Sequence, residues 1–161
     1  MAMPQGFQPL IGTEEATVDE KGRVLFSKKK RERLGESFAL VLGKVGGVTV
    51  YPEGVWNSLF EEVFAVPTMN PARETYTRLV LGTAEDEITF DGQGRLVIPK
   101  RLRDEAKLTG EVLLIGCGDR IEIWNKVEWE KYNEFPEHYN KDRRNAIQQA
   151  YDSMTGRVAA A

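Results

Sequence analysis

Apolar and polar positions change rhythm repeatedly along this chain, and each change marks an element boundary. From Leu10-Ile11-Gly12 a strand pattern runs to Asp19, a polar turn follows, and Val24-Leu25-Phe26 returns as a short buried-strand run. A short basic helix is expected from Lys28 to Leu34, ended by Gly35. Phe38 to Leu42 is a continuous apolar strand, residues 43–47 a hairpin connection, and Val48-Thr49-Val50-Tyr51 its partner, stopped by Pro52. Val55, Trp56, Leu59, Phe60, Val63 and Phe64 then fall on a helical period and predict an amphipathic helix packed on the sheet. Pro67 to Pro71 reads as a linker, and residues 72–81 as a helix carrying Tyr76, Leu79 and Val80.

The order then repeats. Phe90 ends a strand, Leu96-Val97-Ile98 is the returning run, Val112 to Ile115 the long buried strand, and Ile121 to Trp124 its hairpin partner, with Val127, Trp129 and Tyr132 on the inner face of the next helix. The repeat shows best where Val18-Asp19-Glu20-Lys21-Gly22-Arg23 lies over Phe90-Asp91-Gly92-Gln93-Gly94-Arg95 at an offset of 72 residues. Farther on, Tyr51 falls on Trp124 and Trp56 on Trp129 at an offset of 73. The unit is β-β-α-β-β followed by a helix: residues 10–64 hold the first, 65–84 a linker and helix, and 85–135 the second. Residues 136–161 form an extension with a last helix from about Asn140 to Met154. Residues 1–9 are expected to be a loose arm and 156–161 a frayed end.

In each turn the aspartate can bond the turn's own backbone and the glycine tolerates φ > 0. Asp19, Gly22, Asp91 and Gly94 are therefore turn-bracing residues, from which Arg23 and Arg95 emerge. Ser27 in one copy and Pro99 in the other open a helix. Each helix then places cations in its first turn, Lys28, Lys29, Lys30 and Arg31 in one and Lys100, Arg101 and Arg103 in the other, where the macrodipole favours anions. A solvated basic face beside Glu32, Asp104 and Glu105 accounts for one such copy. Two copies, each beside a turn arginine, favour phosphate binding.

Composition limits the picture without changing it. The chain has 161 residues, 41% apolar and 29% charged, with a net charge of −3, which fits an ordinary globular protein and excludes coating of nucleic acid by its whole surface. Seven lysines and arginines nevertheless fall between Lys21 and Arg33, balanced by acids such as Glu61, Glu62, Glu85, Asp86 and Glu87. No apolar run approaches a membrane span and the N-terminus lacks signal-peptide features, so a cytoplasmic location is expected and no membrane partner. Cys117, the single cysteine, stands in a glycine-flanked turn and reads as a structural thiol. His138 reads as a surface residue, Glu85-Asp86-Glu87 as a solvated charge run, and Trp56, Trp124, Trp129 and Tyr51 as core rather than base-stacking residues. No constellation for catalysis, a cofactor or a metal is found.

Two Asp-x-x-Gly-Arg motifs, each followed by a short apolar strand and a basic helix start, resemble the swapped-hairpin modules of AbrB and SpoVT DNA-binding proteins. Their tandem arrangement is similar to the MraZ family of bacterial regulators, and the order of Ile11-Gly12, Leu40 to Pro52, Trp56, Arg78 to Ala84 and Ile121 to Trp124 matches over about residues 10–135. The resemblance implies an α+β fold in which the repeats interleave within one chain as a closed swapped-hairpin barrel with flanking helices. It also implies a sequence-specific transcriptional regulator of the division and cell-wall gene cluster, not an enzyme. Such a protein binds double-stranded DNA at repeats in its own promoter as a ring-like, nucleoid-associated homo-oligomer. Its DNA-contacting elements map onto Asp19 with Arg23 and Asp91 with Arg95. An arginine fork can read guanine in the major groove, and Lys21, Lys28, Lys29, Lys30, Arg31, Lys100, Arg101 and Arg103 are then expected at phosphates. The first copy departs from the pattern, with Ser27 and three lysines where an aliphatic-Pro start is usual. An oligomeric scaffold without specific DNA binding, an enzyme acting on a phosphorylated substrate and an antitoxin-type regulator are the alternatives.

Overall fold

The computed structural model describes residues 6–156, so the expected N-terminal arm as far as residue 5 and the frayed end from residue 157 lie outside the described residues. In chain order the elements are β1 (Leu10–Val18), β2 (Arg23–Leu25), α1 (Lys28–Leu34), β3 (Phe38–Leu42), β4 (Val48–Pro52), α2 (Glu53–Phe64) and α3 (Pro71–Leu79). A 3-10 turn (Leu81–Thr83) follows, then β5 (Glu85–Ile88), β6 (Arg95–Val97), α4 (Lys100–Glu105), β7 (Gly110–Gly118), β8 (Ile121–Asn125), α5 (Lys126–Glu134) and α6 (Lys141–Met154).

Six strands form one antiparallel sheet in the order β1-β7-β8-β4-β3-β5, while β2 and β6 pair separately as a two-stranded ribbon. Exchanging each strand for its repeat mate turns this order into its own reverse, so the fold carries an internal pseudo-twofold. The repeats interleave: β1 lies along β7 from Leu10↔Gly118 to Val18↔Gly110, and β5 lies on β3 in the reciprocal way. The central β4–β8 pair, with Val48 opposite Ile123, joins the two halves across the axis. The sheet is α+β in its setting but does not close into the expected barrel, because β1 and β5 occupy opposite edges and do not meet.

Strict alternation in β3 divides the core. Phe38 and Leu40 face an inner cluster with Leu10, Val24, Phe26, Val50, Leu96, Ile98, Leu114 and Ile121, which seats the ribbon on the sheet. Ala39 and Val41 face the other way, into a cluster with Trp56, Val63, Tyr76, Ile147, Ala150 and Met154 from α2, α3 and α6 and with Val80 just past the end of α3. The last helix is thus part of the second layer: Arg143 donates to the carbonyls of Leu42 and Gly43, and Asn140 to that of Val45.

Three local readings change. The strand expected to end at Phe90 is β5, which carries the acidic run at 85–87 with Asp86 and Glu87 exposed and stops at Ile88; Glu87 has φ 55 and the register shifts there. Phe90 instead turns inward, 4.8 Å from the Phe38 ring and 5.3 Å from that of Phe26. Cys117 lies within β7 opposite Ile11, and burial pushes its thiol pKa up to about 11, so it is protonated at neutral pH. Val127 and Phe64, assigned to inner helix faces, are both exposed. In α5 Trp129 and Tyr132 do face inward, their rings packing on Trp124, and the position expected of Val127 belongs to the buried Glu128.

Candidate nucleic-acid interface

Each turn is built around its aspartate. The Asp19 carbonyl accepts from Gly22 N–H at 2.9 Å, and its carboxylate accepts from the backbone N–H groups of Lys21 and Arg23, both at 2.9 Å. The second carboxylate oxygen takes Arg23 Nε at 2.6 Å. Asp91 repeats this set with Gln93 N, Arg95 N and Arg95 Nε, all at 2.9 Å. The backbone N–H of Arg23 and that of Arg95, reinforced by the other donors, hold both carboxyls below the usual carboxylate range against the opposing effect of burial. Each arginine is thus fixed through Nε, and its two terminal nitrogens have no partner among the described residues.

The β2–β6 ribbon brings the turns together. Val24 and Leu96 pair at its centre and point into the core, so their neighbours face outward: Arg23 opposite Val97 and Leu25 opposite Arg95. The helices beyond the ribbon lock the turns crosswise. Arg31 from α1 donates Nε to the carbonyl of Phe26 and lies over Gly94 of the other repeat; a Cβ there would stand 2.6 Å from its Cζ. Reciprocally, Arg103 from α4 donates to the carbonyl of Ile98 and lies over Gly22, where a Cβ would stand 2.5 Å from its Cζ. The ribbon backbone crosses over as well, with Ile98 N–H donating to the Gly22 carbonyl at 2.9 Å. Gly22 and Gly94, at φ 79 and 78, therefore serve the turn and the close approach of the partner repeat's arginine.

The cations expected at phosphates separate into groups. Lys21, Lys28, Lys29 and Lys100 are exposed beside the turns or at the helix starts, with Lys28 3.8 Å from Glu32 and Lys100 2.6 Å from Asp104 as solvent-screened pairs. Arg31 and Arg103 are half-buried on the glycines. Arg101 is exposed and reaches the carbonyls of Gly82 and Thr83, away from its own turn. Lys30 does not fit a phosphate contact: it is 4% exposed, its ammonium donating to the Ile11 carbonyl and lying 3.6 Å from Glu14. Sequence alone groups Lys30 with its neighbours because four consecutive cations look alike, whereas on a helix only one of them faces the sheet. The crosswise role of Arg31 and Arg103 also escapes the sequence; its signal is the glycine at the matching place of each turn. Ser27 caps α1 by accepting from Lys30 N–H, and Pro99 stands at the N-cap of α4.

Among the described residues, no group of three or more His, Cys, Asp or Glu side chains is placed to hold a metal, and no helix is long and apolar enough to cross a membrane. The family described as "MraZ protein, putative antitoxin-like" matches the chain twice, over residues 10–79 and 81–149, so the match runs past residue 135 into α6. A protein of Caldanaerobacter subterraneus subsp. tengcongensis named transcriptional regulator MraZ is 40% identical over 125 residues, 77% of this chain and 86% of the relative. Proteins with the same name from Alkaliphilus oremlandii and Pediococcus pentosaceus are 41% and 34% identical, over 76% and 85% of this chain and 85% and 96% of their own lengths.

Proposed function

The chain belongs to the MraZ family, and from that premise we propose that it is a DNA-binding transcriptional regulator whose two Asp-x-x-x-Arg turns read base edges in the major groove. The observation that carries this reading is the ribbon: it presents Arg23 and Arg95 together, each fixed by a carboxylate through Nε and with its terminal nitrogens free of partners among the described residues. A two-stranded ribbon fits the major groove, and an arginine fork matches guanine O6 and N7 at ~1–3 kcal/mol of discrimination per base. Asp19 and Asp91 orient the arginines. Lys21, Lys28, Lys29, Lys100 and Arg101 contact phosphates and set register, while Arg31 and Arg103 secure the turns.

The same reading extends to biology. The protein binds repeats upstream of its own gene, in the division and cell-wall cluster, as a ring-like homo-oligomer associated with the nucleoid in the cytoplasm. Each ribbon reads few base pairs, so several copies on spaced repeats gain through avidity. Exposed Phe64 and Met69, at the end of α2 and in the segment before α3, supply apolar surface for self-association. The relatives are named as transcriptional regulators.

The test is anisotropy binding to the duplex upstream of the gene, at two salt concentrations, with wild type, Arg23→Ala, Arg95→Ala and the double variant, alongside sedimentation for oligomer size. Salt-sensitive specific binding that each single variant weakens by roughly ten- to a hundredfold, with size unchanged, is expected. Undiminished binding in the double variant, or none in the wild type, would reject the two-turn reading and leave the scaffold alternative.

A further inference from the structure

The ribbon's outer face carries more than arginine. Leu25 is 60% exposed and Val97 50%, and they occupy the same place in the two repeats. A scattered surface aliphatic is ordinary. These two are not scattered: the register sets Val97 directly across from Arg23 and Leu25 directly across from Arg95. Because Val24 and Leu96 between them point into the core, the outward face is a square of two arginines and two aliphatic side chains, each diagonal alike. Side chains directly opposite on an antiparallel pair stand within about 5.5 Å, a distance comparable to one or two base-pair steps.

In the major groove guanine offers O6 and N7, and the apolar feature there is the C5-methyl of thymine. We propose that Leu25 and Val97 are specificity-determining residues that pack on thymine methyl groups beside the guanine read by the cross-strand arginine. The proposal rests on the DNA-binding reading and adds the second half of the recognition surface. Charge supports nucleic acid as the occupant of this patch: exposed Lys21, Lys28 and Lys29 lie in the segments flanking β2 and outnumber the one exposed carboxylate there, Glu20, while Asp19 and Asp91 are already engaged by N–H groups. The patch is too small to anchor a protein partner alone, yet it suits a single methyl on each side. Both side chains are aliphatic and differ in reach, so the halves read the methyl at different depths.

The experiment compares two duplexes of the upstream DNA, one with thymine and one with uracil in place of every thymine, which removes only C5-methyl groups. Wild type, Leu25→Ala, Val97→Ala, the double alanine variant and Val97→Thr are titrated against both. Wild type is expected to bind the uracil duplex about fourfold more weakly for each thymine methyl that Leu25 or Val97 covers, the size of one buried methyl. The double alanine variant is expected to bind both duplexes equally, and Val97→Thr, which keeps one methyl and the branched shape, to retain part of the preference. Thermal melting of each variant checks its fold. Equal binding of both duplexes by wild type, or full thymine preference in the double variant, would overturn the inference while Arg23→Ala still reports on DNA binding. No specific binding by wild type to either duplex would overturn both readings together.

Discussion

Asp91 accepts three N–H donors, two of them from Arg95, so its charge sets where that side chain points. Asp91→Ala is expected to leave Arg95 present but unaimed, weakening DNA binding about 10- to 150-fold, the range for hydrogen bonds to a charged group; titration against the upstream duplex measures it. The pH behaviour follows from the same contacts. Both turn carboxyls are held low in the folded protein, so their contribution to stability is fully present above the ordinary aspartate pKa, near ~3.9. It is lost only as the pH falls through the lowered folded value. Carbon-13 titration of the carboxylates should give midpoints below the ordinary value, and a midpoint at or above it would contradict the bracing. Lys30 and Lys29 should separate cleanly. Lys30→Ala removes the buried bond to the Ile11 carbonyl and the contact with Glu14, lowering stability by about 1–3 kcal/mol with no change in salt dependence. Lys29→Ala should leave the melting temperature alone and reduce the slope of log affinity against log salt by about 1.

The crosswise seating of Arg31 on Gly94 and Arg103 on Gly22 makes the ribbon and its two helices one unit. Gly94→Ala combines a positive φ with a clash against Arg31, so it should cost more than about 1 kcal/mol in chemical denaturation. Arg31→Ala should shift amide resonances at residues 91–95 in the other repeat more than those at 19–23. Much of this level is legible in the sequence, because α1, α2 and α6 carry clear starts, stops or periods, and the repeated Asp-x-x-Gly-Arg marks both turns. What is not legible depends on tertiary partners. Glu85 to Glu87 reads as a solvated charge run, and where the strand that holds it stops is set by its pairing with β3. Phe90 looks like a strand end until Phe26 and Phe38 supply a pocket for its ring. The reciprocal arginines cannot be assigned to the opposite turns before β2 and β6 are known to pair.

At the level of the molecule, neither repeat holds a complete sheet. Among the described residues β1 pairs only with β7, β2 only with β6 and β5 only with β3, so although the β3–β4 and β7–β8 hairpins are internal to their repeats, the remaining strands of each repeat find their partners in the other half of the chain. Cut within the 65–70 segment, the two pieces are expected to be largely unfolded when separate and to regain the sheet signal in circular dichroism when mixed in equal amounts. Independent folding of either piece would contradict the interleaved topology. The pseudo-twofold is also imperfect. Leu25 stands where the mate has Val97, Ser27 where it has Pro99, and only the second half is followed by α6. A duplicated fold whose halves have drifted apart has a front and a back. On the DNA-binding reading, a single chain can therefore recognise a run of bases that differs from its own reverse complement, and copies laid on successive direct repeats would all face the same way along the double helix.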